Sequence, residues 1–107
     1  MNYDIIAVPQ FRKELKRLAK KHTSLKTDFS NFLEELKNDP TQGISLGKNC
    51  YKTRMSISSK NKGKSGGARV ITNVLVQKNK IYLLSIYDKS EKGTLSNAEL
   101  KELLESM

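Results

Sequence analysis

Apolar positions along the chain change their period several times, and each change predicts an element. Tyr3 to Val8 is short and rich in β-formers, which predicts a first strand. Pro9 ends it and can open a helix, where its missing N–H costs nothing. Phe11, Leu15, Leu18 and Ala19 then fall at helical spacing, with basic residues around the rest of the circumference. Thr23 or Ser24 can cap a second helix, whose apolar face is Leu25, Phe29, Phe32, Leu33 and Leu36 and whose stop is Asn38-Asp39-Pro40. The short connection predicts an antiparallel helical hairpin. Residues 41–49 read as a loop. Cys50 to Ser58 alternates cleanly, with Tyr51, Thr53, Met55 and Ile57 on one face and Lys52, Arg54, Ser56 and Ser58 on the other. Ala68 to Gln77 is apolar on both faces, as a central strand would be, and Ile81 to Tyr87 returns beside it, giving a three-stranded meander. After a polar loop, Ser96 with Glu99 forms a capping box and Leu95 with Leu100 fits a hydrophobic staple, so a short helix closes the sequence.

Charge sharpens this picture. The 107 residues carry 20 Lys and Arg against 11 Asp and Glu, a net +9. From Thr41 to Tyr87 there is no acid at all, while nine basic residues fall there, so the whole excess sits in that 47-residue segment. Such a field attracts a polyanion, and a phosphate backbone is the first candidate. The basic face of the first helix reads more simply as a solvated surface. A hydrophobic fraction of 36%, clustered and periodic, suits a single folded domain over residues 1–107 rather than a disordered tail. The lone Cys50 excludes an internal disulfide and any multi-cysteine zinc site, and suits a small buried residue at a strand start. No basic region precedes a long apolar run, and no span is long enough to cross a bilayer, so a cytoplasmic protein with no membrane partner is expected.

The candidate chemistry lies on the meander. Lys52 and Arg54 are two residues apart on one strand, so they share a sheet face about 7 Å apart, a floor suited to a phosphate. Lys60 to Gly67 alternates lysines and ends in Gly66-Gly67, which permits close approach by a ligand, but it lacks the G-x-x-x-x-G-K-[ST] spacing of a nucleotide-binding loop. An ATPase is therefore excluded. No cluster of metal ligands is present, and no cofactor or metal is expected.

Cys50-Tyr51-Lys52-Thr53-Arg54 resembles the "cYKiR/K" strand of RelE-type toxins. Gly63-Lys64-Ser65-Gly66-Gly67-Ala68-Arg69-Val70-Ile71 resembles the "GKSGGxRVI" signature of their HigB-like branch. Tyr82 to Lys92, followed by Leu95-Ser96 and Glu99-Leu100, resembles that branch's "YLLtIYxKsEKxxLs…eL" ending. The chain thus resembles the RelE/ParE superfamily of toxin–antitoxin toxins, specifically from Cys50 to Leu100 and as a looser pattern over the helical hairpin. The resemblance implies an α+β fold in which an N-terminal strand and a helical hairpin pack on an antiparallel sheet with a short C-terminal helix.

It also implies a ribosome-dependent mRNA endonuclease, in which the ribose 2′-OH attacks the neighbouring phosphate without a metal. Partners would be the ribosome with its rRNA, the message, and a cognate antitoxin, often of helix-turn-helix type. On the matching positions, Arg69 would meet the transition-state phosphate, Lys52 and Arg54 would flank it, and Lys89 would reach the same cleft. Lys60, Lys62, Lys64 and Lys92 would hold RNA backbone, and Tyr87 could stack on a base. Two departures leave the general base unassigned. Ser90 stands where several RelE toxins carry arginine, and their C-terminal tyrosine falls at Ser96, the helix cap. The only histidine, His22, lies in the hairpin turn, where solvent exposure is expected. A lysine whose pKa is lowered by neighbouring cations could serve. Two rival readings are a ParE-like gyrase poison and a basic RNA-binding module without catalysis.

Overall fold

The computed structural model describes residues 3–60 and 66–107. The order is β1 (Asp4–Ala7), α1 (Pro9–Lys21), α2 (Leu25–Asn38), β2 (Ile44–Gly47), β3 (Cys50–Met55), β4 (Ala68–Leu75), β5 (Lys80–Asp88) and α3 (Asn97–Glu105). Short 3₁₀ turns at Ser58–Lys60 and Val76–Lys78 end β3's extension and β4. The strands form one mixed sheet in the order β1-β5-β4-β3-β2. β1 lies parallel to β5, and the other pairs are antiparallel.

The central position expected of the fourth strand is what the sheet shows: Ala68 to Val74 is buried throughout. Alternation in β3 also holds, since Thr53 and Met55 are buried while Arg54 is exposed. The hairpin covers the Met55 face. Phe32 of α2 shares a recess with Met55. Phe11, Leu18, Leu25 and Leu36 join Val70, Ile81 and Ile86 in the core cluster.

Residues 41–49 are not simply a loop. Ile44–Gly47 pairs antiparallel with β3 as a fourth meander strand. The turn between them is two residues, Lys48 and Asn49, with φ of 53° and 64°. Positive φ at both central positions is a type I′ turn, whose twist suits a hairpin. Gly43 lets this edge strand approach: its φ is +97°, and a Cβ there would lie 2.4 Å from the Lys52 carbonyl oxygen.

The cap of α2 also differs from expectation. Ser24 occupies the N-cap position but makes no capping bond. Its hydroxyl instead donates to Asp28 Oδ2 at 2.7 Å and accepts from the Ser59 N–H at 2.8 Å. Asp28 in turn accepts from the Ser58 N–H and hydroxyl at 2.8 and 2.6 Å, pinning the turn after β3 to α2. The α3 capping box forms as expected, with Ser96 Oγ and Glu99 Oε1 each accepting the other residue's backbone N–H.

Candidate active site

The face of β3 turned away from the hairpin carries Lys52 and Arg54, as alternation requires. Register then sets their neighbours. Arg54 pairs with Arg69 on β4, and Arg69 pairs with Tyr87 on β5. Gly67 makes this close pairing possible, because a Cβ there would sit 2.2 Å from the Met55 carbonyl oxygen. The Lys89 N–H donates to the Gly67 carbonyl at 3.1 Å, which fixes the chain as it leaves β5.

Lys52, Arg54, Arg69 and Lys89 consequently line one cavity of about 600 Å³, and among the described residues no carboxylate lines it with them. Arg69 is the deepest, only 5% exposed, with Nη1 donating to the Ala68 carbonyl at 3.1 Å. Burial, and then the charge of Arg54, make its protonated form less favourable than in water. A bound phosphate would relieve that tension, since planar guanidinium and tetrahedral oxyanion match in charge and geometry.

The other expected site residues lie elsewhere. Tyr87 is buried in a separate cavity of about 100 Å³ that Leu103 of α3 also lines. Its hydroxyl has no hydrogen-bond partner among the described residues. The Lys92 ammonium lies 5.8 Å from its ring centroid. Burial, partly offset by Arg69 and Lys92, raises the phenol pKa. Lys92 is paired with Glu99 on α3 and lines this small cavity, not the large cleft. Lys60 donates to Asp88 Oδ1 at 2.7 Å, with its side chain only 13% exposed. Lys62 and Lys64 lie outside the described residues. His22 is not solvated as expected: its Nε2 meets Asp88 Oδ2 at 3.1 Å, and its side chain is 11% exposed.

Comparison with known proteins bears on the fold and the family. The family model for the RelE toxin of the RelE/RelB toxin–antitoxin system matches residues 11–106. The chain belongs to the RelE toxin family. An arginine-to-alanine variant of Escherichia coli RelE in the free state superposes with a TM-score of 0.65 at 16% identity, covering 100% of this chain and 99% of that one. A toxin in the Mycobacterium tuberculosis RelBE2 toxin–antitoxin complex gives a TM-score of 0.59 at 11% identity, over 82% and 99% of the two chains. The E. coli variant in complex with an antitoxin RelBc peptide gives 0.60 at 18% identity, over 95% and 93%. At such identities the likeness is one of fold.

Sequence reasoning missed part of this RelE-family cleft. Gln42 and Ile44, just before and within β2, line it from the edge, and Gly93 and Thr94 line it from the loop after β5. The buried Gln42 Nε2 has no hydrogen-bond partner among the described residues. Its position follows from β2, which the sequence did not announce. Glu14 was also unforeseen. β1 ends at Ala7, opposite Leu83, so β5 has a free edge beyond it, and Glu14 of α1 accepts there from Ser85 Oγ at 2.9 Å and the Ile86 N–H at 3.3 Å. Among the described residues, no group of His, Cys, Asp or Glu could hold a metal ion, and no helix is long and apolar enough to cross a membrane.

Proposed function

We propose that this RelE-family toxin is a ribosome-dependent mRNA endonuclease and that the cleft of Lys52, Arg54, Arg69 and Lys89 is its active site. One observation carries the reading: four cations from three chain segments converge on a cavity that no carboxylate of the described residues lines. Such a cavity concentrates positive potential where a phosphodiester would sit.

The chemistry is in-line displacement at phosphorus. The ribose 2′-oxygen attacks the adjacent phosphate, the bond from phosphorus to the 5′-oxygen breaks, and a 2′,3′-cyclic phosphate and a 5′-hydroxyl are left. Charge grows on the equatorial phosphoryl oxygens as the phosphorane forms. Donors already in place there stabilise it without reorganisation. Arg69 is best placed for this, being held by its strand and a backbone carbonyl. Lys52 and Arg54 flank it on one side and Lys89 on the other. Among the described residues no imidazole or carboxylate lines the cleft, so proton transfer to and from the reacting oxygens falls to its lysines or to groups of the ribosome. The partners are the message, ribosomal RNA and a cognate antitoxin, which we expect to be of helix-turn-helix type; the complex of the E. coli variant with an antitoxin peptide supports an antitoxin partner, not its type.

The test is inducible expression in a bacterial host with 5′-end mapping of cellular mRNA. Wild type should yield codon-phased cuts within translated messages. Arg69→Ala should lower cutting about 10²- to 10³-fold, the usual cost of losing one preorganised oxyanion donor. Because Arg69 is buried, a thermal melt accompanies the assay, and Arg69→Lys serves as a second variant that keeps the charge but not the fork. Growth arrest without cuts would favour the gyrase-poison reading and overturn this one. Ribosome binding with neither cuts nor arrest would leave an RNA-binding module.

A further inference from the structure

The cationic cleft has a wall that carries no charge, on the side of the edge strand β2. Of the described side chains lining the cavity, Ile44 is the one large apolar group, and none is aromatic. Ile44 pairs with Lys52 across the β2–β3 ladder, so the two side chains stand on the same face of the sheet. It is 58% exposed, so the fold itself covers less than half of it.

Gln42 stands beside it on a held backbone. Its N–H donates to the Asp39 carbonyl at 3.2 Å, and Gly43, the next residue, lies against the Lys52 carbonyl. The Gln42 Nε2 is closed to water and has no hydrogen-bond partner among the described residues, an unfavourable state for a donor. The last torsion of a glutamine is soft, so the amide can turn to offer its N–H or its C=O to an occupant of the cavity.

Neither residue suits a phosphate. Four cations already meet the anion, and about 600 Å³ is more than a phosphate fills, within the range that encloses a ligand of nucleotide size. An aliphatic side chain gains nothing from phosphoryl oxygens, and an amide brings no charge. A nucleobase has both complements: a flat apolar face to lie on Ile44, and an edge of donors and acceptors for the Gln42 amide. Tyr87, the ring expected to stack on a base, is buried in the other cavity, which leaves this wall as the base-facing side of the cleft.

We propose that Gln42 and Ile44 form a base-reading wall: the nucleobase next to the scissile phosphate packs on Ile44, and the Gln42 amide reads its edge and sets the base preference of cutting. The inference rests on the reading of the cleft as a nuclease site. It supplies selectivity that the four cations cannot, because phosphate contacts carry no sequence information.

Two measurements test it. In the first, isotope-labelled toxin is titrated with a trinucleotide made uncleavable by 2′-O-methyl groups, and separately with its abasic analogue. The base-bearing ligand should move the Gln42 side-chain amide and Ile44 methyl resonances, whereas the abasic one should move only those of the cationic side chains. Equal response to both ligands, or none at Gln42, would overturn the proposal. In the second, cuts in cellular mRNA are mapped for Gln42→Ala and Ile44→Ala, with antitoxin affinity measured alongside. Both should flatten the base preference at the cut, Gln42→Ala by about tenfold, as loss of a paired base edge does. Gln42→Ala should not lower the melting temperature, because Nε2 has no hydrogen bond to lose. A base preference unchanged in both variants would overturn the proposal. So would loss of antitoxin binding with the preference intact, which would give the wall to the antitoxin. If wild type makes no cuts, the nuclease reading fails by itself, and the titration still decides whether this wall holds a base.

Discussion

Removing the charge of Asp88 should destabilise the toxin strongly. Asp88 is 1% exposed and ends β5. Its Oδ1 accepts from Lys60 Nζ at 2.7 Å and from the Ser90 N–H and hydroxyl at 2.9 and 2.7 Å, while Oδ2 faces His22 Nε2 at 3.1 Å. One carboxylate thus joins the end of α1, the turn after β3 and the loop that carries Lys89. Asp88→Asn keeps the shape and one acceptor for Ser90 but leaves the Lys60 ammonium without a counter-ion at 13% exposure. Breaking a buried pair from one side costs about 3–5 kcal/mol. Lys60 can turn partly to solvent, so the lower end, about 3 kcal/mol, is expected. For a domain of this size that is a fall in Tm of roughly 12 °C or more. The double variant Asp88→Asn with Lys60→Met removes both charges and should recover about half the loss, a coupling that a double-mutant cycle reads directly. The pH dependence has a fixed sign. Burial alone would raise the Asp88 pKa, but hydrogen bonds from Lys60 and Ser90 outweigh it and hold the carboxyl well below the usual range. A depressed folded pKa gives stability that is present above the unfolded value, about 3.9, and is lost as pH falls below it. Urea denaturation of wild type from pH 7 to pH 2.5 should show that loss, and Asp88→Asn should lack this part of the slope. If Asp88→Asn lies within about 1 kcal/mol of wild type at pH 7, or the two substitutions simply add, the carboxylate is not the junction described.

Two further outcomes follow from the geometry. Gly43→Ala forces a Cβ to within 2.4 Å of the Lys52 carbonyl oxygen at a φ of +97°, so it should cost about 1–3 kcal/mol in urea denaturation and loosen β2 from β3; a cost under about 0.5 kcal/mol would contradict the close approach. Burial raises the Glu14 pKa despite bonds from Ser85 and Ile86, so its contribution to stability is present below the unfolded pKa of about 4.3 and is lost as pH rises. Glu14→Gln keeps an acceptor for the β5 edge, so its melting temperature should match wild type near pH 4 and exceed it at pH 7; the reverse order would sink the argument.

How far the sequence reaches is clearest in the lysines. Alternation in Cys50–Met55 placed Lys52 and Arg54 on one face correctly, because a period of two needs no knowledge of the rest of the chain. The capping box of Ser96 and Glu99 was legible for the same reason, being closed within four residues. β2 was not legible: it has four residues, ends in glycine and lies at the sheet edge with Ile44 58% exposed, so neither burial nor periodicity marks it. Its turn, Lys48-Asn49, carries none of the glycine that usually signals a type I′ hairpin. Tyr87 sits beside Arg69 as register demands, but whether its ring faces RNA depends on where α3 docks, and three turns of helix do not encode that locally. Charge counting has the same limit. It located an acid-free segment, but it could not say which cations are already engaged. The residue immediately after that segment is Asp88, and it takes Lys60, 28 positions away, into the interior of the fold. That pairing needs Asp28 to hold the turn on α2 and His22 to close the other side, contacts that no window of sequence contains. Tertiary structure therefore divides one basic segment into two classes: Lys60 is spent on holding the fold, whereas Lys52, Arg54 and Arg69, joined by Lys89 from just beyond the segment, are turned into a cavity.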